Sequence, residues 1–249
     1  MQNNPQHFVP EGNFLKGKTI LVTGAGDGLG KAAALAYARH GATIILLGRT
    51  TAKLEAVYDA IVAAGGAEPI IHPMDLASAS EEDYRVLGQN VEEQCGHLDG
   101  LVHCAAVLGP RAPIQFFPHE SWLKVMQVNV NAAFALSKAL LPALQAAPSA
   151  SVIFTSSSVG RKGRAYWGAY SVSKFATEGL MQVLADELRQ TSRIRVNSID
   201  PGGTRTNMRK EAYPAEDPLQ LPTPEDRMPL YLYLMSEASA DVTGEALKA

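Results

Sequence analysis

The sequence predicts an α/β fold: a single-domain, doubly wound parallel sheet of six to seven strands flanked by helices. Three observations predict it. Short β-branched runs alternate with longer amphipathic segments along the chain, the pattern of successive βαβ units. A glycine-rich turn falls between the first such run and the first helix. No Gly/Ser-rich linker or internal repeat divides the 249 residues, a length that one α/β domain commonly fills.

The elements follow in order. Residues 1–14 read as a polar N-terminal extension and 15–249 as the domain. Thr19 to Thr23 is a buried strand, and Leu29 to His40 a helix stopped at Gly41. Thr43 to Leu47 is the second strand. Leu54, Val57, Tyr58, Ile61 and Val62 share one helical face, which Gly65-Gly66 ends. Pro69 to Met74 suits a third strand, and Ser80 with Asp83 a capping box for the helix carrying Leu87 and Val91. Gly100 to Cys104 is strand four, followed by one long helix from about Glu120 to Ala146. Ser151 to Thr155 is strand five, Trp167 to Gln190 a second long helix, and Ile194 to Ile199 strand six. Thr206 to Pro222 breaks the rhythm with polar residues and prolines, so a lid is expected near 206–222. Thr223-Pro224-Glu225-Asp226 then reads as a helix start.

Composition narrows the function classes. A net charge of -3 with no basic block gives no footprint for nucleic acid. No run approaches a membrane span, and the first dozen residues lack the apolar core of a secretory signal, so a cytoplasmic, membrane-free protein is expected. Cys95 and Cys104 lack metal-ligand spacing and read as two buried thiols; no metal site is expected.

The turn Thr23-Gly24-Ala25-Gly26-Asp27-Gly28-Leu29-Gly30 carries the first chemistry. A GxGxxG register starting at Gly24 fails because Leu29 holds the third glycine position; TGxxxGxG fits. Between a strand and a helix, such a turn lets the backbone approach a pyrophosphate at the helix N-terminus. NAD sites place a carboxylate about 20 residues further on, against the ribose 2′-OH. Here strand two ends Leu47-Gly48-Arg49-Thr50, so a guanidinium and a hydroxyl stand where a 2′-phosphate would bind, which favours NADP(H) over NAD(H).

Tyr170 and Lys174 lie four apart on a predicted helix and share a face. An ammonium beside a phenol favours the phenolate and pulls its pKa toward the working range. Alone the pair means little, since i,i+4 pairs recur on solvated helices. Ser157, 13 residues upstream and just past strand five, and Asn129, in the middle of an apolar helix, add to it. Both project near the carboxyl ends of the strands, where open α/β sheets bind ligands.

In order and spacing, TGAGDGLG, Asn129, Ser157 and the run Tyr170-Ser-Val-Ser-Lys174 resemble the short-chain dehydrogenase/reductase family, which has a Rossmann-like fold. The stretches TSSSVGR, PGGTRT and MPLYLYLM are similar to its bacterial YciK-like branch. The resemblance implies a hydride transfer between nicotinamide and a small carbonyl or alcohol. Tyr170 would be the acid/base, and Lys174 would tune it and bind the nicotinamide ribose. Ser157 would hydrogen-bond the substrate oxygen, and Asn129 would hold a water linking Lys174 to solvent. It also implies cofactor contacts from Asp75 and Leu76, from Ala105 and Ala106, and from Pro201, Gly202 and Thr204. A homodimer or homotetramer is implied as well, built on the two long helices, whose apolar residues include Val125, Phe134, Leu141, Phe175, Leu180 and Leu184. Two departures stand out. Cys104-Ala105-Ala106 replaces the usual Asn-Ala-Gly and removes a bracing hydrogen bond, and the chain ends at Ala249, which leaves the last strand in question. Leu108, Arg111, Trp167, Arg205, Met208 and Tyr213 are candidates for the substrate pocket, and most of them suit lid packing equally. The alternatives are a non-catalytic dinucleotide-binding regulator, or an epimerase or dehydratase on the same fold.

Overall fold

The computed structural model describes residues 5–249; residues 1–4 of the expected extension lie outside the described residues. Seven parallel strands form one sheet in the order β3-β2-β1-β4-β5-β6-β7. They are β1 (Thr19–Thr23), β2 (Thr43–Gly48), β3 (Ile70–Pro73), β4 (Gly100–His103), β5 (Ala150–Thr155), β6 (Ile194–Asp200) and β7 (Ala246–Lys248). The order reverses between β1 and β4, which opens a crevice at the strands' carboxyl ends. β7 pairs in parallel with β6 through Ser198–Ala246, Ile199–Leu247 and Asp200–Lys248, so the strand left in question is present.

Both faces of the sheet are covered, which is why its strands read as continuous apolar runs. One core packs α1 (Gly28–Arg39), α2 (Thr51–Ala63) and α8 (Met228–Met235) on Ile20, Val22, Ile44, Leu46 and Ile153. The other packs α3 (Glu81–Cys95), α5 (Ala132–Ala146) and α6 (Gly168–Arg189) on Leu21, Leu101, Val152, Phe154 and Val196. The Ser80–Asp83 capping box opens α3, with Ser80 N donating to Asp83 Oδ2 at 2.7 Å. Before α8, Thr223 and Asp226 cap each other in the same way. Phe8 packs edge-on to Phe14 and Tyr233, which ties the described part of the N-terminal extension to the domain.

Two expectations are corrected. The helix expected from Glu120 to Ala146 is α4 (His119–Met126) and α5 joined by a π-helical turn, Gln127–Asn131. An inserted residue of this kind leaves no mark on hydrophobic periodicity at this scale. The irregular stretch 206–222 contains a helix, α7 (Asn207–Ala212), capped by Thr206. Its base is closed by Arg205 N donating to Pro222 O at 2.8 Å.

Candidate active site

The carboxyl ends of the strands line a cleft of about 890 Å³. Every residue expected to touch the cofactor lines it. At the β1–α1 turn, Gly24 has φ +67°, and a Cβ there would stand 3.0 Å from Ala105 Cα. A Cβ on Gly30 would lie 2.3 Å from Gly24 O. Only glycine lets the turn fold this tightly against β4. Asp27 caps α1, accepting from Gly28 N at 2.8 Å. It also accepts from Lys53 Nζ at 2.7 Å and Asn207 Nδ2 at 3.0 Å. The Lys53 hydrogen bond, above all, holds the Asp27 carboxyl below its usual range. The N–H groups of Leu29 and Gly30 meet no acceptor among the described residues, so the helix start offers two donors suited to a phosphate.

At the other end of the cleft β2 stops at Gly48, and Arg49 and Thr50 are exposed on its wall. Lys53, one turn further along, lines the same wall and was not foreseen, although its spacing from Arg49 gave the signal. Asp75 and Leu76 follow β3, with Asp75 Oδ1 accepting from Ala77 N at 3.0 Å. Other bonds brace Cys104-Ala105-Ala106. Thr23 Oγ1 accepts from Cys104 N and Ala105 N, both at 3.0 Å, and Cys104 Sγ lies 3.2 Å from Thr155 Oγ1. Both cysteines are partly buried rather than fully buried. After β6, Gly202 N donates to Asp200 Oδ1 at 2.9 Å and Thr204 Oγ1 to Pro201 O at 3.1 Å, which fixes the turn above the cleft.

Ser157, Tyr170 and Lys174 meet at the floor of this cleft. Tyr170 is 8 % and Lys174 5 % exposed. Lys174 Nζ donates to Thr155 O at 2.6 Å and stands 5.7 Å from the Tyr170 ring centre. Burial pushes Lys174 down to about 8. Burial pushes the Tyr170 phenol up to about 12, against a downward pull from the Ser157 hydroxyl. In both groups desolvation is the first cause of the shift, because both are dry.

Asn129 sits in the π turn, just behind the cleft. Its Oδ1 accepts from Val107 N at 2.8 Å, and its Nδ2 donates to Val107 O and Ser173 Oγ, both at 3.0 Å. Both Nδ2 protons are thus committed to protein groups, which leaves only acceptor oxygens of Asn129 for a water. Asn129 and Lys174 both line a small cavity beneath the cleft.

On the substrate side Leu108, Trp167 and Met208 line the cleft as expected. Arg111 lies against both the Trp167 and Tyr213 rings, each 4.9 Å away, and lines an adjoining outer cavity. Arg205 and Tyr213 do not line the cleft. Arg205 is spent on the carbonyls of Pro218, Leu219 and Leu221, and Tyr213 stacks under Arg209 at 4.0 Å. Arg209 in turn pairs with Glu216 at 2.6 Å.

Comparisons with known proteins match most of the chain. The family model for short chain dehydrogenase matches residues 18–217. The uncharacterized oxidoreductase YciK of Escherichia coli (strain K12) is 51% identical over 243 residues, covering 98% of this chain and 96% of that protein. A short chain dehydrogenase structure from Pseudomonas syringae superposes with a TM-score of 0.95 at 56% identity, covering 97% of this chain and 98% of its own. One from Shigella flexneri 2a, complexed with NADP, gives 0.93 at 50% identity and covers 96% and 99%.

Proposed function

The chain belongs to the short-chain dehydrogenase family of oxidoreductases, and from that premise we propose that it transfers a hydride between NADP(H) and the carbonyl/alcohol pair of a small molecule, with Tyr170 as acid/base. The observation that carries this reading is the convergence of buried Tyr170, buried Lys174 and Ser157 at the floor of the cleft that the glycine turn and Arg49 also line. The nicotinamide, when bound, supplies the hydride chemistry.

The residues of the chain do the rest. The N–H groups of Leu29 and Gly30 hold the pyrophosphate, and Arg49 with Thr50 the 2′-phosphate. The Shigella relative's bound NADP supports that choice. Tyr170 is protonated at neutral pH and gives its proton to the carbonyl oxygen. Ser157 donates a hydrogen bond to the same oxygen as charge grows on it. Lys174 is placed to restore the tyrosine proton. Segment 206–222 acts as a lid hinged at the Arg205–Pro222 bond. The apolar wall of Leu108, Trp167 and Met208 suits an apolar portion of the substrate.

The protein works as a cytoplasmic homo-oligomer, a dimer or tetramer. Phe134 on α5 and Val172, Phe175 and Val183 on α6 are exposed and supply an apolar face. Val125, named for that face from the sequence, is buried inside the protomer, and Leu141, Leu180 and Leu184 are half-buried against the core.

The test follows NADPH absorbance against a ketone and aldehyde panel that includes cyclohexanone. The wild type turns over at least one carbonyl, and Tyr170→Phe lowers kcat by about 10²- to 10⁴-fold or more while NADPH still binds. Wild-type turnover in Tyr170→Phe, or NADPH binding without turnover of any carbonyl, overturns the reading.

A further inference from the structure

The last residue of β4, His103, is buried on the α5–α6 side of the sheet. Its ring stacks on Phe154, with centroids 4.6 Å apart and planes 16° from parallel. His103 Nε2 lies 3.0 Å from Ser137 Oγ. Ser137 is buried and has no other hydrogen-bond partner among the described residues. A buried hydroxyl proton needs an acceptor, and Nε2 is the one within reach. Nε2 therefore accepts, and the ring proton sits on Nδ1, which has no partner among the described residues.

His103 lines the small cavity beneath the cleft, about 10 Å³, together with Asn129, Thr155, Lys174 and Thr177. That volume is the least that a single water occupies, and the walls are polar enough to hold one. We propose that His103 is a positioning residue for the proton relay behind the active site: its Nδ1–H anchors the oxygen of a water in this cavity, and that water solvates the Lys174 ammonium. The proposal rests on the reading of Tyr170 and Lys174 as the acid/base pair. In carbonyl reduction Tyr170 loses one proton per turnover, and one returns from solvent by way of the water and Lys174.

The surrounding charges suit this role. Lys174 faces Cys104 at the end of β4 and Glu178 on α6, while Asp200 on β6 and Tyr231 on α8 stand near Tyr170. Burial first, and then the Lys174 charge, holds the imidazole down at about 3, so it adds no positive charge beside the ammonium at working pH.

The experiment follows the Lys174 titration by NMR of ¹³C-labelled lysine in the cofactor-free protein, assigned with Lys174→Arg. His103→Leu, which removes the donor, lowers the Lys174 midpoint by about one pH unit, since a hydrogen bond to a charged group is worth about that much. His103→Gln keeps an N–H and stays near the wild type. An unchanged midpoint in folded His103→Leu overturns the role. Should that variant fail to fold, His103→Phe carries the test, because it keeps a ring stacked on Phe154 without the donor. It must lower the midpoint in the same direction; no shift there also overturns the proposal. Full activity in Tyr170→Phe would instead overturn the acid/base reading beneath it, so the two failures are distinguishable.

Discussion

Replacing Asn129 with alanine tests how the π turn is coupled to the cleft. The substitution removes the acceptor for Val107 N and the donor to Val107 O, and with them the donor to Ser173 Oγ. Ser173 keeps a partner, because its hydroxyl also donates to Tyr170 O at 2.8 Å. The loss therefore falls on the two main-chain groups of Val107. Each buried, unsatisfied backbone group costs about 1–3 kcal/mol. Val107 is only half-buried, so water recovers part of that. A total of about 2–4 kcal/mol follows, together with some loss of packing. At about 2–4 °C per kcal/mol for a domain of this size, Tm falls by roughly 4–16 °C. Asn129→Asp keeps the acceptor for Val107 N but sets a carboxylate against Val107 O, and it falls at least as far. Thermal and urea unfolding followed by circular dichroism measure both variants. A Tm within about 2 °C of the wild type for Asn129→Ala would show that the Val107 bonds contribute nothing net and refute the coupling.

Arg49→Ala weakens NADPH by roughly 10- to 150-fold and leaves NADH almost unchanged, the value of one charge-assisted hydrogen bond. Because Arg49 is exposed, the selective loss shrinks as salt rises; fluorescence titration of both cofactors shows it, and equal losses for the two would place the effect in folding instead. Glu216→Ala frees Arg209 and raises hydrogen exchange across residues 207–221, and NADPH with a product alcohol slows exchange there in the wild type. Slow exchange in the free protein that neither change alters would end the lid reading. Light scattering at micromolar concentration gives a dimer or tetramer mass, and Phe175→Glu shifts it toward the monomer; a monomeric wild type contradicts the apolar face. Acid unfolding carries the mark of His103. The folded imidazole stays neutral down to about 3 while the unfolded one protonates near 6.5, so stability falls as pH drops between those values, and the slope is shallower in His103→Gln.

The sequence by itself determined what local periodicity and short spacing can carry. Six strands and most helices were legible because period-2 and period-3.6 patterns record which side of each element is buried. Tyr170 and Lys174 are legible as a pair because residues four apart on a helix share one face. The glycine turn was found because glycine alone tolerates the close approach that Gly24 and Gly30 make. The missing carboxylate at the end of β2 singles out Arg49, which lines the cleft.

Tertiary structure decided whatever depends on distant neighbours or on water. The π turn and the bond between Asn129 and Val107 join residues 22 apart and leave no periodic trace. β7 is a strand only because β6 offers an edge to pair with, since three residues cannot form a strand alone. Arg205 fits a pocket residue by type, but three carbonyls of its own loop take up its guanidinium. The protonation states of Tyr170, Lys174 and His103 were the least legible of all. Their pKa values are set by desolvation, and how dry a side chain is depends on what the rest of the chain packs around it.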